Sequence, residues 1–177
     1  MEFRELSIQG AYLIRIAPVS DERGFFARAF CEEAFAERGL CARFVQTSLA
    51  YTRRRGTIRG LHYQVFPHGE AKLIRCIRGA VWDVCVDLRE GSPTYGQWLG
   101  AELSAENRDM LYAPAGCAHG YQALRDDTEV LYSVSSPYAP EYERGIRWDD
   151  PAFGIEWKSV GEVILSDKDT AWGNYRL

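Results

Sequence analysis

The chain has 177 residues, of which 46% are hydrophobic, 26% charged and 13% aromatic, and its formal net charge is −4. That length suits one domain with a sizeable core, spanning residues 1–177, and the acidic balance argues against general nucleic-acid binding. No apolar run is long enough to cross a membrane, and the charged opening MEFRELSIQG lacks the apolar stretch of a secretory leader, so a cytoplasmic protein is expected.

In chain order, runs rich in β-branched and aromatic residues predict a strand at Ala11–Ala17, then an amphipathic helix at Glu32–Arg38 that stops at Gly39. Further strands are predicted at Arg43–Tyr51, Thr57–Gln64, Lys72–Arg78, Ala80–Leu88, Gly96–Leu103, Asp109–Ala113, Gly120–Leu124 and Glu129–Val134. Gly79, REGSPTYG (Arg89–Gly96) and RDD (Arg125–Asp127) separate them. A last short helix is expected at Ser166–Ala171, where Ser166 and Asp169 have capping-box-like spacing. Within VWDVCVDL, Trp82, Val84, Val86 and Leu88 form an apolar face, while the other face carries Asp83 and Asp87. Such a strand fits a sandwich wall. Many short strands and little helix predict a closed double-sheet jelly roll with a ligand between the sheets. Cys31, Cys41, Cys76, Cys85 and Cys117 are odd in number and form no CxxC pair, which reads as reduced, mostly buried thiols.

The chemistry-bearing stretches centre on three histidines, His62, His68 and His119. RGTIRGLHYQ (Arg55–Gln64) places Arg59, suited to anions, and His62, suited to moving protons, on one strand. PAGCAHGY (Pro114–Tyr121) carries the Pro-x-Gly-x-x-His pattern of a cupin half-motif. The His-x-His of metal cupins is missing, because Tyr63 and Gln64 follow His62, so no metal is expected; Glu70 and His119 are the residues that could complete a weak site. Taken singly, each residue also has a structural reading. His62 could be a barrel-wall histidine, Asp169 a helix cap, and Lys72 and Arg59 solvated strand-end charges.

In order, DERGFF (Asp21–Phe26), GTIRGLHYQ (Gly56–Gln64), KLIRCIRGAVWDVCVDLR (Lys72–Arg89), SPTYGQW (Ser92–Trp98), APAGCAHGYQ (Ala113–Gln122), EVLYSVSSPYAPEYERGIRWDDP (Glu129–Pro151) and LSDKD (Leu165–Asp169) span nearly the whole chain. The set resembles the dTDP-4-dehydrorhamnose 3,5-epimerases. The resemblance implies a cupin-like double-stranded β-helix (jelly roll), a homodimer, no cofactor and a nucleotide-linked 4-keto-6-deoxyhexose inverted at C3 and C5 through an enolate. It implies His62 as base, Asp169 as its carboxylate partner, Lys72 facing the C4 oxygen and Tyr132 as the opposite-face acid. His119 is implied near the ketone, Arg59 on the diphosphate, and Phe26 and Tyr138 as packing residues. Arg23 and Phe26 are implied to reach the other subunit's site.

Two positions depart from the family pattern. Arg28 stands where many members have Glu, and Gln46-Thr47-Ser48 stands where many have Gln-x-Asn; both belong to the family's nucleotide and sugar pocket. They leave open a C3-only or C5-only epimerase or a 3,4-ketoisomerase on a related, even CDP-linked, sugar. A metal cupin oxygenase and a non-catalytic sugar-binding barrel are the more distant readings.

Overall fold

The structure, a computed structural model, describes residues 1–176. Its strands are β1 (Glu2–Glu5), β2 (Tyr12–Arg15), β3 (Val19–Asp21), β4 (Gly24–Phe26), β5 (Gln46–Thr52), β6 (Ile58–Gln64), β7 (Lys72–Arg78), β8 (Ala80–Asp87), β9 (Trp98–Ser104), β10 (Met110–Ala113), β11 (Cys117–Ala123), β12 (Thr128–Val134) and β13 (Glu143–Gly145). The helices are α1 (Glu32–Ala36) and α2 (Asp167–Thr170), with a 3-10 turn at Pro140–Tyr142.

A six-stranded sheet in the order β1-β2-β10-β7-β12-β5 faces a five-stranded sheet in the order β13-β6-β11-β8-β9. Both are antiparallel throughout. The layers are those of a cupin-like jelly roll. The expected closure is not found: each sheet keeps its own edges, and the ladder does not run from one into the other. β3 and β4 pair only with each other, as an arm carrying exposed Val19, Phe25 and Phe26.

Ile74, Leu111 and Val130 of the six-stranded sheet meet Val81, Cys85, Leu103 and Tyr121 of the five-stranded sheet to form the inter-sheet core. Each such buried aliphatic side chain contributes roughly 1.5–3 kcal/mol relative to exposure. β8 is buried on both faces. Its wholly apolar face does not point between the sheets. Val84, Val86 and Leu88 pack outward under Ile146, Phe153, Trp157 and Tyr175 of the C-terminal segment. The acid-bearing face turns inward because each acid has partners there. Asp83 meets His119 at 2.9 Å, and Asp87 accepts from Arg89, Ser92 and Thr94 at 2.6–2.8 Å.

Other expectations shift at their ends. The predicted Gly120–Leu124 strand begins three residues earlier, at Cys117, because Cys117–His119 pair with Cys85–Asp87. α1 stops at Ala36, two residues short, where the chain tightens toward Gly39 at φ +68°. Cys76, Cys85 and Cys117 are buried and Cys31 and Cys41 half-buried, all as free thiols. Among the described residues no helix is long and apolar enough to cross a membrane.

Candidate active site

A cleft of about 820 Å³ opens between the sheets, where β5, β12 and the start of β7 face β6 and β11. β6 supplies Arg59 and His62 to the same cleft, although residues three apart on a regular strand face opposite sides. The ladder explains it. His119 pairs with His62 and Tyr121 with Arg59, so three steps along β6 match two along β11. One extra residue bulges β6 and returns both side chains to the cleft. Gly60 sits in the bulge at φ +120°. A β-carbon there would lie 2.6 Å from Gly120 Cα and 2.8 Å from the His119 carbonyl oxygen, so only glycine permits this approach.

The bulge also frees the Gly60 N–H to point at Asp169. Asp169 is nearly fully buried and accepts from His62 Nε2 at 2.6 Å, with the Gly60 N–H at 3.4 Å. It arrives from far along the chain. Ile164 pairs in parallel with Thr57 at the start of β6, and Ser166 then caps α2 by accepting the Asp169 N–H at 3.1 Å. Asp169 therefore takes part in the cap of α2 and touches His62 at the same time. Burial works to raise the Asp169 carboxyl, but the bond and charge of His62, with the Ser166 and Gly60 contacts, hold it below the usual carboxylate range. One ring nitrogen of His62 is engaged by Asp169, which leaves the other for a ligand.

The opposite wall carries Lys72 and Tyr132. Lys72 is buried, donates to the His62 carbonyl oxygen at 3.0 Å and pairs with Glu70 at 3.2 Å. Tyr132 lies inward on β12, in register with Ile74 and Ser48. Beside His62, on the same wall, His119 Nε2 meets fully buried Asp83. Burial raises the Asp83 carboxyl, opposed by His119 and Lys72. At one end of the cleft Arg59 is held by the Thr52 hydroxyl at 3.1 Å and the Tyr51 carbonyl at 2.9 Å, and among the described residues its remaining N–H donors have no partner. At the rim, Gln46 accepts the Tyr138 N–H at 2.7 Å, and the Tyr138 hydroxyl donates to Glu143 at 2.7 Å.

The cleft thus gathers Gln46, Ser48, Arg59, His62, Lys72, His119, Tyr132, Tyr138 and Asp169. It does not gather Arg23, Phe26 or Arg28. Arg23 is paired with Asp21 and 85% exposed, and Phe26 is 79% exposed on the free arm. Arg28 follows the arm, exposed, with its guanidinium near Cys31. Glu70 and His119 do not converge on a metal: Glu70 faces Lys72 and Gln64, and His119 faces Asp83. Gln64, Asp83, Glu143 and Lys168 also shape the site or its partners, and the sequence reading gave them no role. Asp83 had a signal, since an acid on the inward-alternating face of a strand needs a partner. Glu143 and Lys168 had none, because their meeting depends on how the C-terminal segment folds back.

Inversion at carbon takes a proton from one face and returns it to the other. Proton-carrying side chains on opposite walls of one cleft therefore make this sandwich a cupin-like isomerase scaffold. The family model for dTDP-4-dehydrorhamnose 3,5-epimerase matches residues 5–176, and the chain belongs to that family. A dTDP-4-dehydrorhamnose 3,5-epimerase of Methanothermobacter thermautotrophicus is 47% identical over 176 residues, covering 97% of this chain and 94% of the relative. The crystal structure of the enzyme of that name from Elizabethkingia anophelis matches with a TM-score of 0.95 at 38% identity, covering 99% of this chain and 96% of that one. A dTDP-6-deoxy-D-glucose-3,5-epimerase from Legionella pneumophila, solved in complex with dTDP-4-keto-L-rhamnose, matches with a TM-score of 0.89 at 39% identity, covering 97% and 90%.

Proposed function

We propose that residues 1–177 act as one epimerase domain, inverting C3 and C5 of a dTDP-linked 4-keto-6-deoxyhexose, with His62 as base and Tyr132 as the opposing acid. The observation that carries the assignment is the 2.6 Å His62–Asp169 contact on one wall with Tyr132 on the other. A proton α to the C4 ketone moves to the free nitrogen of His62, and the electron pair becomes an enolate. Asp169 steadies the imidazolium that forms. The Lys72 ammonium faces the developing oxyanion. Tyr132 then delivers its phenolic proton from the other sheet to the other face, which completes inversion; solvent takes the proton from His62 and returns one to Tyr132 before the cycle repeats at the second carbon. His119, backed by Asp83, sits beside the ketone. The open donors of Arg59 suit a diphosphate oxygen, and Ser48, Gln46 and Tyr138 line the substrate's remaining length.

The protein acts as a homodimer in which Arg23, Phe26 and Arg28 of one arm serve the neighbouring cleft. The support is an arm whose two strands pair only with each other and exposed Leu49, Tyr51, Ile77 and Leu131 on the six-stranded sheet. Free thiols and a nucleotide-linked substrate fit a cytoplasmic enzyme.

The test is solvent exchange. In deuterated water the wild type places deuterium at C3 and C5, and His62→Ala loses this by on the order of 10²–10⁴-fold. Full exchange by the variant removes His62 from the mechanism.

A further inference from the structure

The Lys72 ammonium donates to the His62 carbonyl oxygen at 3.0 Å and forms an ion pair with Glu70 Oε1 at 3.2 Å. Both side chains of the pair are 9% exposed. Lys72 nevertheless lines the cleft, so an ion pair almost out of solvent stands at the edge of the space a substrate would enter.

Glu70 is itself held. Its other oxygen accepts from Gln64 Nε2 at 3.0 Å. Gln64, at the end of β6, is fixed in turn. Its amide nitrogen reaches the His68 and Pro137 carbonyl oxygens at 2.9 and 3.2 Å, and its oxygen accepts the Ala139 N–H at 2.6 Å. The carboxylate cannot swing away from Lys72 without breaking this clamp.

We propose that Glu70, clamped by Gln64, is a positioning residue for the epimerisation, holding the Lys72 ammonium where it faces the substrate's C4 oxygen. The inference rests on Lys72 being the partner of the enolate oxygen. A cation stabilises a developing oxyanion only where it is held close to it, and a clamped carboxylate 3.2 Å away fixes where the end of this flexible side chain rests. The other titratable groups around the ammonium are His62 from β6, His119 from β11 with Asp83 of β8 behind it, and Tyr132 from β12. All remain when Glu70 alone is changed.

The experiment compares Glu70→Gln, Glu70→Asp, Lys72→Met and the double variant Glu70→Gln/Lys72→Met, each checked for an unchanged fold by circular dichroism. Glu70→Gln lowers kcat about tenfold to hundredfold, the range of a charge-assisted contact, with KM changed less than about threefold. Glu70→Asp, which returns the charge with a shorter reach, regains part of that kcat. In the Lys72→Met background Glu70→Gln costs nothing further. Wild-type kcat in Glu70→Gln overturns the proposal, as does a loss carried by KM alone or an equal loss with and without Lys72. A fully active Lys72→Met overturns the role of Lys72 itself, a separate result read from a separate protein.

Discussion

Replacing Gly60 by alanine tests whether the β6 bulge is what brings Arg59 and His62 to one cleft. Two costs add at this position. The backbone sits at φ +120°, which for a residue with a side chain costs on the order of 1–3 kcal/mol. The new β-carbon would also lie 2.6 Å from Gly120 Cα and 2.8 Å from the His119 oxygen, both backbone atoms of a central strand, and such overpacking costs about 1–3 kcal/mol more. The sum is about 2–6 kcal/mol, a large share of a domain's usual 5–15 or so. Two controls separate the parts. Gly10→Ala, at φ +78° with nothing within 4 Å, carries strain alone and costs about 1–2 kcal/mol. Gly120→Ala, which would meet the Arg59 oxygen at 2.7 Å, carries overlap alone. Urea unfolding at constant m reads all three. With m near 2 kcal/mol/M, Gly60→Ala moves the midpoint by about 1–3 M and the controls by less. Whatever Gly60→Ala protein folds also turns over poorly, since the strand relaxes by shifting His62 away from Asp169. A Gly60→Ala enzyme as stable as Gly10→Ala and fully active would refute the reasoning.

Three further outcomes are expected. Tyr132→Phe keeps washing deuterium into the substrate while net inversion falls at least tenfold, because His62 can still remove and return a proton on its own face; nuclear magnetic resonance of substrate and product separates the two, and a parallel loss of both would reassign Tyr132. Asp169→Asn lowers kcat/KM by about tenfold to hundredfold or more, with folding intact, through loss of a charge-assisted bond worth about 1.5–3 kcal/mol. Asp87→Asn probes stability instead. Burial works to raise the Asp87 carboxyl, but Arg89, Ser92 and Thr94 more than offset it and hold it well below the usual range. A depressed carboxyl contributes stability that is fully present above its unfolded value, about 3.9, and lost as pH falls toward the folded one. The variant should be about 3–5 kcal/mol less stable at pH 7, and its gap from the wild type should narrow at pH 3, as read by urea unfolding.

The strands that alternate or run apolar between turn residues, such as Lys72–Arg78, were legible because side-chain pattern and core burial coincide there. β1, β3, β4 and β13 were not. They are short, mostly polar or exposed, and exist because a neighbour offers a ladder, as β6 does for β13. The burial of β8 on both faces was half legible: its apolar side announced itself, but the partners of Asp83 and Asp87 lie on other segments. At the site, His62, Lys72, Tyr132 and Asp169 stood out through ordered resemblance and were found around one cleft. The bulge that aims two of the β6 side chains was invisible, since nothing in RGLH states that two residues of a neighbouring strand will match three. Gln64 was given no role and Glu70 was read only as a possible metal ligand, for a related reason. A buried polar clamp is defined by what it touches, and the His68, Pro137 and Ala139 partners of Gln64 lie on loops, outside any strand pattern.

Ile164 is the hinge of a matter of timing. His62 and Asp169 are separated by 107 positions, and Asp169 is made after every strand of both sheets. A growing chain can therefore close its sandwich while the imidazole still lacks its carboxylate. The His62–Asp169 contact can then form only after the last strand has been made. It begins when the Ile58 N–H takes the Ile164 carbonyl at 2.9 Å and Ser166 starts the short turn that presents Asp169. Birth of the fold and birth of the enzyme are two moments, and a nick at the exposed Gly161–Glu162 peptide in an undocked chain would keep the first without the second.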